Sequence, residues 1–272
     1  MNINQLNSFK MKAGFGKEPV VSDLEVVVSG GEIVVIAGPN GVGKSTIVKV
    51  LSRQLKPMEG NVFFNGNDVW KMTPMEFARQ VAYVPQSMET GHDMTVEEIV
   101  MLGRNPHQNW WQWYGSQSDR DAVDAALAAT ELSGLRSKSL AELSGGERQR
   151  AAIATALAQD PAFMLLDEPT AHLDFRHQLE LVSLLQSLRD KKGIGCLLVL
   201  HDLNLIARAA DRVVLLQKQP GAPSKIAATG APPAVLTREN LQRVFEVEVQ
   251  IHTDPESGET FYNAIKSTAT TT

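Results

Sequence analysis

The sequence has one cysteine, Cys196, and so no partner with which to close an internal disulfide. Set in the apolar run GCLLVLHD, it reads as a buried structural thiol in a reducing compartment. Long apolar runs are missing too: nowhere do about 18 or more apolar residues follow one another. The start, MNINQLNSFKMKAGFGKE, has no signal-type apolar core. The expectation is a chain neither exported nor membrane-spanning by itself. A surplus of positive charge is also lacking, with 26 Lys and Arg against 31 Asp and Glu and a formal net charge of -5. No dominant basic face for phosphate backbones is expected, which argues against nucleic acid as a partner.

What is present is ordinary for a packed globular protein: 43% hydrophobic and 21% charged residues. A length of 272 residues holds one large α/β domain with an appendage or an inserted subdomain, but not two copies. Short β-type runs occur at LEVVVS and EIVVIA, parted by Gly30-Gly31, and again at VAYVPQ, AFMLLDE, CLLVLHD and RVVLLQK. Their hydrophobicity is continuous rather than alternating, which predicts strands buried on both faces. Helical patterns over 175–189 and 203–210 separate them, the succession of a parallel sheet covered by helices. Between about Ser87 and Asp160 three helical patterns, EEIVMLGR, DRDAVDAALAATEL and GGERQRAAIATALAQ, follow without a convincing strand, as in an inserted helical subdomain. After Lys218 a turn-rich stretch precedes a strand, a short helix around 237–244 and a hairpin-like piece; the last residues, STATTT, read as a frayed tail.

Three motifs carry chemistry. Gly38-Pro39-Asn40-Gly41-Val42-Gly43-Lys44-Ser45 fits G-x-x-x-x-G-K-[ST] directly after a strand and at a helix start. Glycines there let backbone N–H groups turn onto phosphates; Lys44 reaches the β/γ oxygens and Ser45 ligates Mg²⁺, with Thr46 next in the same helix start. The run Met164-Leu165-Leu166-Asp167-Glu168 is an apolar strand ending in two carboxylates, which need different roles because like charges so close resist joint ionisation. Asp167 suits the metal shell and Glu168 suits polarising the attacking water. In Leu143-Ser144-Gly145-Gly146-Glu147-Arg148-Gln149-Arg150, a hydroxyl and two glycines open a helix, either as an ordinary Ser N-cap or as a second anion-binding N-terminus.

Together the three motifs resemble those of the ABC transporter ATPases, and the resemblance covers nearly the whole chain. It implies a P-loop, RecA-like α/β core (1–86 and 161–217) with an inserted helical subdomain (87–160) and a small C-terminal appendage (218–272). It also implies that ATP and Mg²⁺ are bound and that two copies pair, with Ser144, Gly145 and Gly146 of one chain meeting the γ-phosphate held by the other. By the same resemblance, Gln86 of Val84-Pro85-Gln86 reaches Mg²⁺ and the water, and Asp174 of AHLD belongs to the D-loop. His201 matches the γ-phosphate-sensing switch histidine, and Phe15 the aromatic that stacks on adenine, where tyrosine is commoner. Glu147 stands where many members have glutamine.

Several stretches, LGRNPH, PTAHLDFRHQ, HDLNLIARAADRVVLL and LTRENLQRVFEVEV followed by DPESG, resemble the ATPases of iron-siderophore, haem and cobalamin importers. This implies integral permease subunits as partners, a substrate-binding protein reached indirectly, and a place on the cytoplasmic face of the inner membrane. An exporter ATPase and a soluble ABC ATPase are the alternatives. The latter calls for a long coiled-coil insertion or tandem copies, and the chain has neither. A decayed, non-enzymatic scaffold conflicts with the expected residue types at Lys44, Ser45, Gln86, Asp167, Glu168 and His201. Trp110, Trp111, Trp113 and Tyr114 cluster after LGRNPH, either as local core or beside a permease-docking groove.

Overall fold

The computed structural model describes residues 4–86, 94–108, 116–171 and 173–267. The aromatic cluster at 110–114 therefore lies outside the described residues. In chain order the elements are β1 (Gln5–Phe15), β2 (Glu18–Leu24), β3 (Val27–Ser29), β4 (Ile33–Ala37), α1 (Lys44–Leu51), β5 (Glu59–Phe64) and β6 (Asn67–Asp68). Next come α2 (Pro74–Ala78), β7 (Val81–Val84), α3 (Val96–Leu102), α4 (Gln117–Ala129), α5 (Gly145–Ala158), β8 (Phe163–Leu166), α6 (Phe175–Lys192), β9 (Gly195–Val199) and α7 (Leu203–Ala209). The C-terminal part adds β10 (Arg212–Gln219), β11 (Ala222–Gly230), α8 (Pro232–Val235), α9 (Arg238–Phe245), β12 (Val247–Thr253) and β13 (Thr260–Ser267).

Among the described residues one sheet runs β6-β5-β1-β2-β11-β10-β4-β9-β8-β7, with β3 paired to β1. Its half from β10 to β7 is parallel. Every residue of β4, β8 and β9 is buried. The continuous apolar runs divide by strand alternation between two layers. Ile33, Val35, Met164, Leu166, Cys196 and Leu198 face the side covered by α3 to α7. Val34, Ile36, Phe163, Leu165, Leu197 and Val199 face α1 and the antiparallel strands.

That second layer is what the apolar runs did not announce. Strands β1, β5 and β6 pair antiparallel, so the parallel sheet covers only half of the architecture. Apolar buried residues there are flanked by polar ones, as Leu6 is by Gln5 and Asn7 and Met11 by Lys10 and Lys12 in β1, which hides them from a search for continuous hydrophobicity. The run LEVVVS is also not one strand. Asp23 has φ 53°, β2 ends at Leu24, and Val27 to Ser29 leave to pair with β1. Strand β11, within 218–272, is hydrogen-bonded to β10 and β2 inside the large sheet.

In the helical stretch an ion pair joins three helices. Arg104, just past α3, donates from Nε to Asp119 Oδ1 of α4 at 2.9 Å and from a terminal nitrogen to the Ala158 carbonyl of α5 at 2.7 Å. The two side chains are 9% and 5% exposed. The β12–β13 hairpin is fixed to α7 by Asn204, which accepts from Tyr262 N at 2.8 Å and donates to its carbonyl at 3.2 Å. No helix among the described residues is long and apolar enough to cross a membrane. Cys196 is fully buried, and burial pushes its thiol up to about 12, which keeps it in the inert protonated form.

Candidate active site

The loop from Gly38 to Gly43 joins β4 to α1, and Gly38, Gly41 and Gly43 hold φ values of 150°, 75° and 99°. At Gly43 a side chain has no room: a Cβ would lie 2.5 Å from Val21 Cγ1 of β2. This close approach brings the β1–β2 hairpin against the loop, and Phe15, at the hairpin tip opposite Glu18, is 59% exposed. Val42 and Thr46 are buried, Pro39 is half-buried and Asn40 exposed. Lys44 is 5% exposed and donates from Nζ to the carbonyls of Gly38 at 2.9 Å and Pro39 at 3.0 Å, an arc around the loop interior. Burial lowers its pKa, against the opposing pull of Glu168 and Asp167.

The carboxylates follow β8, the strand next to β9. Ser45 Oγ donates to Asp167 Oδ1 at 2.9 Å. Asp167 is 4% exposed, and burial, reinforced by the negative charge of Glu168, raises its pKa against the Ser45 hydrogen bond. A buried carboxylate with a serine hydroxyl 2.9 Å from it offers the hard oxygen donors that suit Mg²⁺. Glu168 adopts the left-handed region, φ 50°. That turn carries its carboxylate to two partners: Gln86 Nε2 donates to Oε2 at 2.9 Å, and His201 Nε2 lies 2.7 Å from Oε1. Residues 86, 168 and 201 follow three neighbouring parallel strands, β7, β8 and β9, so one sheet edge gathers what the sequence spreads over more than a hundred positions. A carboxylate so held, beside a lysine-bearing phosphate-type loop, can polarise a water for attack.

Ser144 caps α5. Its Oγ accepts from Glu147 N at 3.3 Å, and Glu147 Oε2 accepts from Ser144 N at 2.7 Å. Gly145 and Gly146 form the first turn, and a Cβ on Gly146 would come to 3.3 Å from Leu173 Cδ2, so this turn touches the residue before Asp174. Asp174 caps α6, and the backbone N–H of His177 holds its carboxyl below the ordinary range. The sequence patterns did not single out Tyr83, paired with Leu165 across β7 and β8; burial and the charge of Asp167 push its phenol up to about 12. No motif marks it, since only strand pairing places it there.

The model of the ABC transporter family matches residues 21–171. The chain is 39% identical over 258 residues to the ferric enterobactin transport ATP-binding protein of Escherichia coli (strain K12), covering 94% of this chain and 93% of that protein. Among solved structures, an ABC transporter assigned to the metal-chelate type, in an inward-facing conformation, superposes with a TM-score of 0.82 at 27% identity, covering 97% of this chain and 98% of that one. A dimeric bacterial ABC transporter cassette gives 0.71 at 26% identity, covering 84% and 98%. The strand-end carboxylates, the phosphate-type loop and these likenesses agree: the chain belongs to the ABC transporter family, as one of its ATP-binding ATPase domains.

Proposed function

We propose that this chain is the ATP-hydrolysing subunit of an importer for metal chelates of the iron-siderophore, haem or cobalamin type. Two copies close around two ATP molecules, and hydrolysis reopens them to drive permease subunits in the inner membrane, which a substrate-binding protein supplies. The observation that carries the catalytic reading is the Glu168 carboxylate, held by Gln86 at 2.9 Å and His201 at 2.7 Å beside the Ser45–Asp167 pair.

In this mechanism the loop 38–45 and the start of α1 cradle the ATP phosphates through backbone N–H groups, while Lys44 shifts from its carbonyl partners to the β/γ oxygens. Ser45 and Asp167, with Gln86, would hold Mg²⁺, which supplies charge neutralisation on the phosphate oxygens. Glu168 orients a water and takes its proton. His201 steadies that carboxylate and reports the γ-phosphate. Phe15 offers its exposed ring to adenine, and Ser144 with its glycines caps the γ-phosphate of the partner's ATP, where Asp174 lies at the same seam.

The importer reading is tested in native membranes. A polytopic permease should co-purify with the chain, and inactivating the chain should abolish uptake of chelated metal. Retention of full uptake, with no permease bound, would overturn the importer reading while leaving the ATPase intact.

A further inference from the structure

The start of α6 is built differently from five other helix starts in the described residues. At Thr73, Thr95, Ser116, Ser139 and Ser144, a capping hydroxyl is followed three residues on by an acid that reaches back to the cap's own N–H. At α6 the cap is Asp174 and the third residue is His177. His177 N donates to Asp174 Oδ1 at 2.9 Å, which already satisfies the cap, and the ring adds a second contact from Nδ1 to the same oxygen at 2.7 Å. With the ring neutral and Nδ1 protonated, imidazole is a donor to the carboxylate. The next residue reaches still further back. Gln178 Nε2 donates to the carbonyls of Thr170 at 3.4 Å and Leu173 at 3.2 Å, neither of which belongs to the helix.

The backbone so held begins at Glu168. Ala171 N donates to the Glu168 carbonyl at 3.1 Å, and Leu173 N to the Thr170 carbonyl at 3.2 Å. Thr170 O thus receives both a loop N–H and the Gln178 amide. Leu173 in turn backs Gly146, in the first turn of α5. Capping alone explains neither the imidazole contact nor a side chain turned away from the helix onto loop carbonyls.

We propose that His177 and Gln178 are positioning residues for ATP hydrolysis: they brace the loop carrying Glu168 and Asp174, so that the water-polarising carboxylate and the D-loop aspartate keep one relative placement. The proposal rests on the ATPase reading above. Small misplacement of a reacting group is enough to cost about a hundredfold in rate, so loss of one brace should be visible in kcat.

The test compares steady-state ATPase, nucleotide binding and thermal melting of the full-length chain with those of Gln178→Ala, His177→Ala and His177→Asn. The alanine variants should lose about tenfold or more in kcat with KM and ATP affinity within about twofold. Asparagine, whose amide N–H replaces the Nδ1 donor, should recover most of the loss. Alanine variants with lowered melting temperature but unchanged kcat would reduce the contacts to helix capping and overturn the proposal, as would an equal loss in His177→Asn and His177→Ala. Should Gln178→Ala fail to fold, the two His177 variants decide. A parent chain without ATPase activity would instead overturn the ATPase reading itself.

Discussion

Glu168 Oε1 and His201 Nε2 meet at 2.7 Å across the ends of two adjacent parallel strands, although 33 residues separate them in the chain. In the proposed mechanism this contact ties the water-polarising acid to the γ-phosphate-sensing histidine. Removing the carboxylate's proton-accepting capacity alone, in Glu168→Gln, should keep ATP binding and lower turnover by about 10²- to 10⁴-fold. Single-turnover hydrolysis measures this, and a variant hydrolysing at the parent rate would remove Glu168 from the role of base.

Lys44 offers a contrast. Its ammonium is buried against two carbonyls of the 38–45 loop, so in the proposed mechanism Lys44→Ala should weaken ATP binding itself by about tenfold or more as well as turnover. Fluorescent-nucleotide titration distinguishes the two variants; an unchanged affinity would place the amine off the phosphates.

Ser144 caps its own helix here, and in the proposed dimer a side chain there as large as arginine would obstruct the partner's nucleotide. Ser144→Arg and Lys44→Ala chains, each inactive alone, should recover part of the ATPase activity when mixed, because a mixed dimer contains one intact composite site. Light scattering on Glu168→Gln with ATP and Mg²⁺ should show the dimer. Strictly monomeric protein at saturating nucleotide, even in complex with its permease, would count against pairing.

The Arg104–Asp119 pair is buried where α3, α4 and α5 meet. Arg104→Met leaves a buried carboxylate without its cation and should cost about 3 kcal/mol in denaturant unfolding. Burial acts to raise the Asp119 pKa, but hydrogen bonds from Ser116 and Arg104 outweigh it and hold the group below its ordinary value of 3.8. A depressed carboxylate stabilises the fold above its unfolded pKa, and this stabilisation is lost as pH falls through the lower, folded value. Below about pH 4 the parent should therefore lose stability more steeply than Asp119→Asn; parallel curves would show that Asp119 does not carry this dependence.

Much of the site was legible because its chemistry is local. A loop that wraps phosphates needs glycines at fixed spacing, so Gly38 to Ser45 declare themselves within eight residues. Two adjacent acids closing a short apolar run stand out locally in the same way, as Asp167 and Glu168 do after Met164 to Leu166. The C-terminal helix at 238–245 and the hairpin β12–β13 were likewise readable from local pattern. Strands β1 and β5 were not, because an antiparallel layer with one covered face mixes polar and apolar residues, and its partners are chosen at long range.

The amino-acid sequence by itself determined the chemical inventory: a phosphate loop, two acids at the end of an apolar strand, a second glycine-rich helix start, and a chain with no run of apolar residues long enough to span a membrane. Only the tertiary structure decided which of these groups meet. Gln86, Glu168 and His201 converge because β7, β8 and β9 are parallel neighbours whose ends share one edge, and strand order is set by long-range packing rather than by local residue preference. The brace of His177 and Gln178 on the Asp174 loop is equally invisible in sequence, since a histidine and a glutamine in a helix reveal their partners only when the chain bends back on itself at the cap.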